Sequence, residues 1–202
     1  MPGKSILITG FDPFGGETIN PAWEAVKRLP EEIGSFRIDK LQVPTVFGRA
    51  GVVVLARAEV LKPDAVICVG QAGGRDSVTP EMVAVNLRYA PIPDNAGARP
   101  LDEPVVPGGP AAYFATLPVR AMAERISAAG VRAAVSYSAG AFVCNDLMYT
   151  ALHHFAGTGV RAGFIHVPFL PEQAEGRDAP SLPLTDMVRA LMAALRALEE
   201  EL

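Results

Sequence analysis

A thiol, an imidazole and a carboxylate are spaced along this chain as groups that could do chemistry together. Cys144 follows Val135-Ser136-Tyr137-Ser138-Ala139-Gly140-Ala141 and precedes Asn145-Asp146-Leu147-Met148-Tyr149, which reads as a buried strand, a tight turn and a helix opening around the cysteine. Unpaired amide N–H groups and the positive end of the helix dipole favour thiolate over thiol at such a place. A nucleophilic thiol needs a base, and the base needs a third group to fix its tautomer and steady its charge. His153 and His154 fall on the cysteine's own helix, roughly 14 Å further along its axis at about 1.5 Å per residue, so neither reaches the thiol. His166 stands near the C-terminal end of the apolar run Gly163 to Val167, at the edge where the cysteine helix should begin. Glu81, beside Pro80 at the head of an otherwise apolar strand through Leu87, has the setting of an orienting group.

The elements that must position these groups are legible from periodicity. Lys4 to Thr9, Arg37 to Val43, Ala65 to Gly70 and Gly163 to Val167 read as strands. Between them, Asn20-Pro21 is an N-cap followed by proline at the first helical position, with Ala22, Trp23, Val26 and Leu29 at helical spacing. Phe47, Ala50, Val54, Ala58 and Leu61 make a second apolar stripe. Pro118 opens a third helix with Val119, Met122, Ala123 and Ile126 on one face, and Met187, Leu191, Ala194, Leu195 and Leu198 mark a last one. Ala111 to Leu117 is ambiguous. Residues 88 to 110 carry six prolines and no period, which predicts an ordered covering loop. Alternating strands and helices predict a single-domain α/β fold over residues 1–202, a three-layer α/β/α sandwich with a largely parallel twisted sheet and helices on both faces.

Bulk properties narrow the function classes. Of 202 residues, 50% are hydrophobic and 20% charged, and the net charge is −4. No basic footprint for nucleic acid exists, and no nucleic-acid partner is expected. The apolar stretch after Met1-Pro2-Gly3 is too short for a signal peptide, and no run is long enough to span a bilayer, so a cytoplasmic protein with no membrane partner is expected. The two cysteines, Cys68 and Cys144, offer neither a disulfide framework nor zinc-ligand spacing. Cys68 sits inside an apolar strand, where packing is its job. The glycines of Phe11-Asp12-Pro13-Phe14-Gly15-Gly16 match no nucleotide-binding fingerprint.

Several segments then carry a family resemblance: Gly10-Phe11-Asp12-Pro13-Phe14-Gly15-Gly16, Ala72-Gly73-Gly74-Arg75, Thr79-Pro80-Glu81, Ile92-Pro93-Asp94-Asn95, Gly109-Pro110-Ala111-Ala112-Tyr113-Phe114, Phe142-Val143-Cys144-Asn145 and Ile165-His166-Val167-Pro168. In this order and spacing, over most of the chain, they resemble the bacterial-type pyrrolidone-carboxylate peptidases, also called the pyroglutamyl-peptidase I family. The resemblance implies a cysteine exopeptidase that removes an N-terminal pyroglutamyl (5-oxoproline) residue from peptides, with a catalytic triad of Cys144, His166 and Glu81. It implies Phe11, Phe14 and Phe142 around the lactam ring, Gln71 as a lactam contact, no metal or organic cofactor, and association into a homotetramer. One departure is plain: the family commonly has Asp-Ala-Arg-Ile-Pro-Asp-Asn where this chain has Tyr89-Ala90-Pro91-Ile92-Pro93-Asp94-Asn95. The arginine's contribution is then absent or comes from another group, with Arg75 and Arg88 as candidates. Two alternatives keep the same pocket: a thiol amidohydrolase of a different small lactam or amide, and a non-catalytic α/β binding protein with an unreactive Cys144. A nucleoside-binding enzyme of similar layering is a third, against which the missing phosphate motif counts.

Overall fold

Strands buried on both faces must be apolar along their whole length, and the centre of the sheet is built from such runs. In a computed structural model, which describes residues 3–201, β1 (Lys4–Phe11), β4 (Ala65–Gln71) and β8 (Arg161–Val167) are buried almost throughout. Met1, Pro2 and Leu202, part of the signal-peptide and single-domain readings, lie outside the described residues. With β3 (Phe36–Val43), these strands run parallel in the order β3-β1-β4-β8. Short antiparallel strands flank them, β2 (Glu32–Ile33) beside β3 and β5 (Thr79–Pro80) beside β8.

The two-residue side-chain period of each strand divides the core in two. Ile6, Ile8, Ile67, Val69, Ile165 and Val167 face α1 (Pro21–Val26), α3 (Val119–Ala128) and α6 (Leu184–Glu199). Leu7, Phe11, Val66, Cys68, Ala162 and Phe164 face α2 (Arg49–Leu61) and α4 (Val143–His154). The result is the expected three-layer α/β/α sandwich. Local signals hold as well: the Asn20 side chain accepts a 3.0 Å hydrogen bond from the Ala22 amide, with Pro21 as the first residue of α1.

Two expectations are corrected. The stretch at Val135 to Ser138 is not a buried strand but an edge segment, attached through single bridges from Ala133 to Val78 and from Ser136 to Glu81. It has a sheet neighbour on one side only, and Tyr137 is 63% exposed. Nor does the segment from Thr79 to Leu87 form one strand. The chain pairs with β8 through β5, passes Glu81, and then leaves the main sheet as β6 (Val83–Val85), which pairs with β7 (Ala112–Phe114) in a separate two-stranded ribbon. β7 resolves the ambiguous region before Pro118.

The proline-rich segment 88–110 is an ordered cover. Arg88 exchanges backbone hydrogen bonds with Glu103, and the Asp94 carboxylate accepts from the amides of Ala96, Ala98 and Phe47. The cover also ties to the first loop, since Asp12 Oδ1 accepts from the Thr45 amide, the Thr45 hydroxyl and Asn95 Nδ2. Beneath it, Asn145 locks α4 to the ribbon: Oδ1 accepts from the Val85 amide, and Nδ2 donates to the carbonyls of Val85 and Leu87, each at 2.9 Å. Asn145 is fully buried, so its removal strands three backbone groups away from water. Asn145→Ala is expected to lower the urea unfolding free energy by about 2–4 kcal/mol with an unchanged far-ultraviolet circular dichroism spectrum.

Candidate active site

Parallel strands leave their C-terminal ends free to carry a site, and here β4 and β8 end on the groups of interest. His166 is the penultimate residue of β8, on the face that looks toward α4. The antiparallel partner of His166 is Thr79, and the Glu81 amide bonds the Phe164 carbonyl at 2.9 Å, so β5 delivers Glu81 beside the imidazole. His166 Nδ1 and Glu81 Oε1 are 2.7 Å apart, with Glu81 fully buried and His166 4% exposed. Nδ1–H donates to the carboxylate, which leaves Nε2 as the accepting nitrogen.

A glycine lets the thiol come close. Gly70 on β4 is the register partner of His166, and the two positions project to the same face of the sheet. A Cβ at Gly70 would lie 2.9 Å from Cys144 Sγ and 2.7 Å from the Phe164 ring, separations that real Cβ atoms do not adopt. The sulfur therefore occupies the notch that a glycine leaves beside His166. Cys144 is the second residue of α4, and the first intrahelical acceptor bond runs from Asp146 N to Phe142 O, so the amides of Val143, Cys144 and Asn145 precede it. The structure thus brings Cys144, His166 and Glu81 to one end of the sheet. His153 and His154 stand apart, the first beside Tyr113 and the second 3.8 Å from Glu59.

The electrostatics differ from the sequence expectation. Burial pushes the Cys144 thiol up to about 12, and the charge of Glu81 and the neighbouring Cys68 add to it. Arg75 and the residue's own amide pull the other way without prevailing. Desolvation outweighs the helix terminus, and the resting group is a thiol. Burial also drives His166 below its ordinary value of 6.5 against the opposing pull of Glu81. For Glu81 burial acts upward, but His166, Ser136 and Arg75 overcome it and hold the carboxyl below 4.5. At neutral pH the three groups are a protonated thiol, a neutral imidazole and a carboxylate.

An aromatic wall adjoins these groups. Phe14 and Phe142 are partly exposed with ring centroids 6.1 Å apart, and Phe47 packs edge-on to Phe142 at 5.2 Å. Phe11 is buried to 2% exposure and packs its ring at a tilt against Phe164, beneath the surface rather than on it. Gln71, half-buried at the end of β4, accepts through Oε1 from Gln173 Nε2 at 3.1 Å. Phe47 is missed by the sequence reading because its spacing fits the stripe of α2, which begins only at Arg49. Of the two arginines considered as substitutes at position 91, Arg88 is committed to the buried Asp146 carboxylate at 2.6 Å, while Arg75 lies against Glu81. Pro91 is exposed, and its carbonyl accepts from Arg99. Among the described residues, no group of three or more His, Cys, Asp and Glu side chains could hold a metal ion, and no helix is long and apolar enough to cross a membrane.

Comparison with known proteins points the same way. The family model described as pyroglutamyl peptidase matches residues 4–201. A pyrrolidone-carboxylate peptidase of Levilactobacillus brevis is 55% identical over 196 residues, covering 96% of each chain. One from Bacillus subtilis is 51% identical over 194 residues, covering 95% of this chain and 90% of its own. Among solved structures, pyroglutamyl peptidase I of Bacillus amyloliquefaciens superposes with a TM-score of 0.95 at 49% identity, covering 98% of this chain and 97% of its own. A mutant pyrrolidone carboxyl peptidase from Pyrococcus furiosus gives 0.93 at 41% identity, covering 98% and 99%.

Two measurements follow from this geometry. Gly70→Ala forces a methyl group against Cys144 and Phe164, and is expected to cost about 1–3 kcal/mol of stability in denaturant titration. The pH dependence of stability has a definite sign. The lowered His166 and Glu81 both bind protons more readily in the unfolded chain, so stability falls as pH drops below 6.5 and further below 4.5. Cys144, raised from 9.0, is ionised first in the unfolded chain, so stability also falls between pH 9 and about 12. A plateau between these limbs should appear in thermal melts across pH, and His166→Gln should flatten the limb that begins near pH 6.5.

Proposed function

The chain belongs to the pyroglutamyl peptidase family, and we propose that it removes the N-terminal pyroglutamyl residue from peptides with Cys144 as nucleophile, His166 as base and acid, and Glu81 as the group that orients His166. The observation that carries this reading is the notch at Gly70, which admits the Cys144 sulfur beside an imidazole whose other nitrogen is held by a buried carboxylate. Because the resting thiol is protonated, its proton passes to His166 Nε2 as Sγ attacks the pyroglutamyl carbonyl carbon. The oxyanion is stabilised by amides at the start of α4, and the C–N bond breaks as His166 returns the proton to the departing amine. Water then gives a proton to His166 and attacks the thioester carbonyl. The C–S bond breaks, pyroglutamate leaves, and the sulfur recovers its proton from the imidazolium.

Specificity follows from what the substrate lacks. The pyroglutamyl nitrogen is closed into a lactam and carries no charge, so the pocket requires apolar walls and a few hydrogen-bonding groups rather than an acidic anchor. In this reading Phe14 and Phe142 line the ring, Phe11 backs them from the core, and Gln71 meets the lactam. The full chain, residues 1–202, acts as one catalytic domain in the cytoplasm and associates into a homotetramer.

Release of a chromogenic amine from its pyroglutamyl amide tests the proposal. Wild-type protein should release it, and alkylation of Cys144 or the substitution Cys144→Ser should reduce the rate by at least about a hundredfold. Folded, reduced wild-type protein that releases no amine from the pyroglutamyl amide would refute this assignment.

A further inference from the structure

We propose that Arg75 is a positioning residue of this site, clamping Glu81 against His166 with one arm of its guanidinium and fixing the chain that leads to Cys144 with the other. The proposal rests on the triad assignment above. Nη1 donates to Glu81 Oε1 at 2.6 Å and also to the Thr79 hydroxyl, while Nη2 reaches the Ser138 carbonyl at 3.3 Å. The Glu81 oxygen it holds is the one that receives His166 Nδ1, whereas Oε2 is buried with no hydrogen-bond partner among the described residues. Both donors thus converge on one oxygen, which fixes the rotation of the carboxylate. Without Arg75, a fully buried negative charge would have no cation beside it, only the neutral His166 imidazole and Ser136, a costly arrangement in a low-dielectric setting.

The backbone presents Arg75 for this purpose. The Ala72 amide bonds the Val167 carbonyl at the end of β8, and the Arg75 amide bonds Ala72, so the turn is tied to the strand that carries His166. Gly74 has φ +88°, and a Cβ at Gly73 would collide with the Phe169 ring, so the turn requires both glycines. The titratable groups acting on His166 are Glu81 and Arg75, and those acting on Cys144 are Glu81, Arg75 and the neutral buried thiol of Cys68. Arg75 is the cation among them. Its charge disfavours a proton on His166 and favours the Cys144 thiolate, while its second arm holds Ser138, six residues before the thiol.

Arg75→Gln, Arg75→Lys and wild type should be compared in two assays: kcat and KM against pH on a pyroglutamyl amide, and the rate of Cys144 alkylation by iodoacetamide, assigned by peptide mass. In Arg75→Gln, kcat should fall at least about tenfold with KM within about threefold, and the acid limb of kcat/KM should move up by about half a pH unit or more. Its Cys144 should alkylate more slowly at each pH. Arg75→Lys should keep the wild-type acid limb yet lose kcat, because an ammonium retains the charge without the second arm. An unshifted limb in Arg75→Gln, or faster alkylation from a merely loosened site, would overturn the proposal. Should Arg75→Gln not fold, Arg75→Lys decides: wild-type kcat or a displaced limb overturns it. Wild-type protein inactive on the amide would count against the functional reading, whereas the alkylation comparison needs no substrate and still decides the role of Arg75.

Discussion

A carboxylate with no access to water is the constraint around which this site is arranged. Taking such a group out of solvent costs several kcal/mol unless hydrogen bonds and an opposite charge replace the lost hydration. Glu81 receives both His166 and Arg75 on one oxygen, Oε1, and both donors are delivered by loops or strands that terminate at the same edge of the sheet. The requirement runs in both directions. The carboxylate needs these donors to remain charged, and the imidazole needs the carboxylate to hold its proton on Nδ1 and leave Nε2 free for the thiol.

The elements around the triad serve this arrangement by different means. Glu81 lies where the chain passes from the main sheet to the β6–β7 ribbon, so pairing with β8 on one side and with the edge segment at Ser136 on the other sets its position. A register slip of one residue would turn its side chain to the opposite face. The start of α4 is held by Asn145 against the ribbon and by Asp146, which accepts from Arg88 and from the Gly48 amide. A covering segment without regular structure is kept in place by Asp12, Asp94 and Asn95 through hydrogen bonds to backbone and side chains. Rigid strands carry the reacting groups, and polar side chains fasten the loops that surround them.

Much of this was legible in the sequence because it depends on local pattern. The runs at Ile6, Ile67 and Phe164 announce central strands, Asn20-Pro21 announces a helix start, and Cys144 before a helical stripe announces a thiol at a helix terminus. The errors arise where tertiary contacts override the pattern. Val135 reads as buried, yet its segment is an edge with one neighbour. Thr79 to Leu87 reads as one strand because nothing local marks the passage from one sheet to another. The helix terminus suggests a thiolate, but how closely the half-buried sulfur is packed is a property of Gly70 and Phe164, some 74 and 20 residues away in the chain. The sequence offers Arg75 only as a possible substitute for another guanidinium. Its contact with Glu81 spans a glycine turn and the β5 strand, which periodicity does not reveal.

The packing of the Cys144 sulfur has a consequence for its oxidation. Peroxide attacks thiolates far faster than thiols, and over-oxidation beyond the sulfenic acid is irreversible in most proteins. A half-buried thiol whose packing pushes it up to about 12 is rarely ionised at neutral pH, and so meets peroxide mostly in its slow-reacting form. The same packing that seats the sulfur in the notch at Gly70 therefore acts as a safeguard against oxidation, by keeping the thiolate scarce.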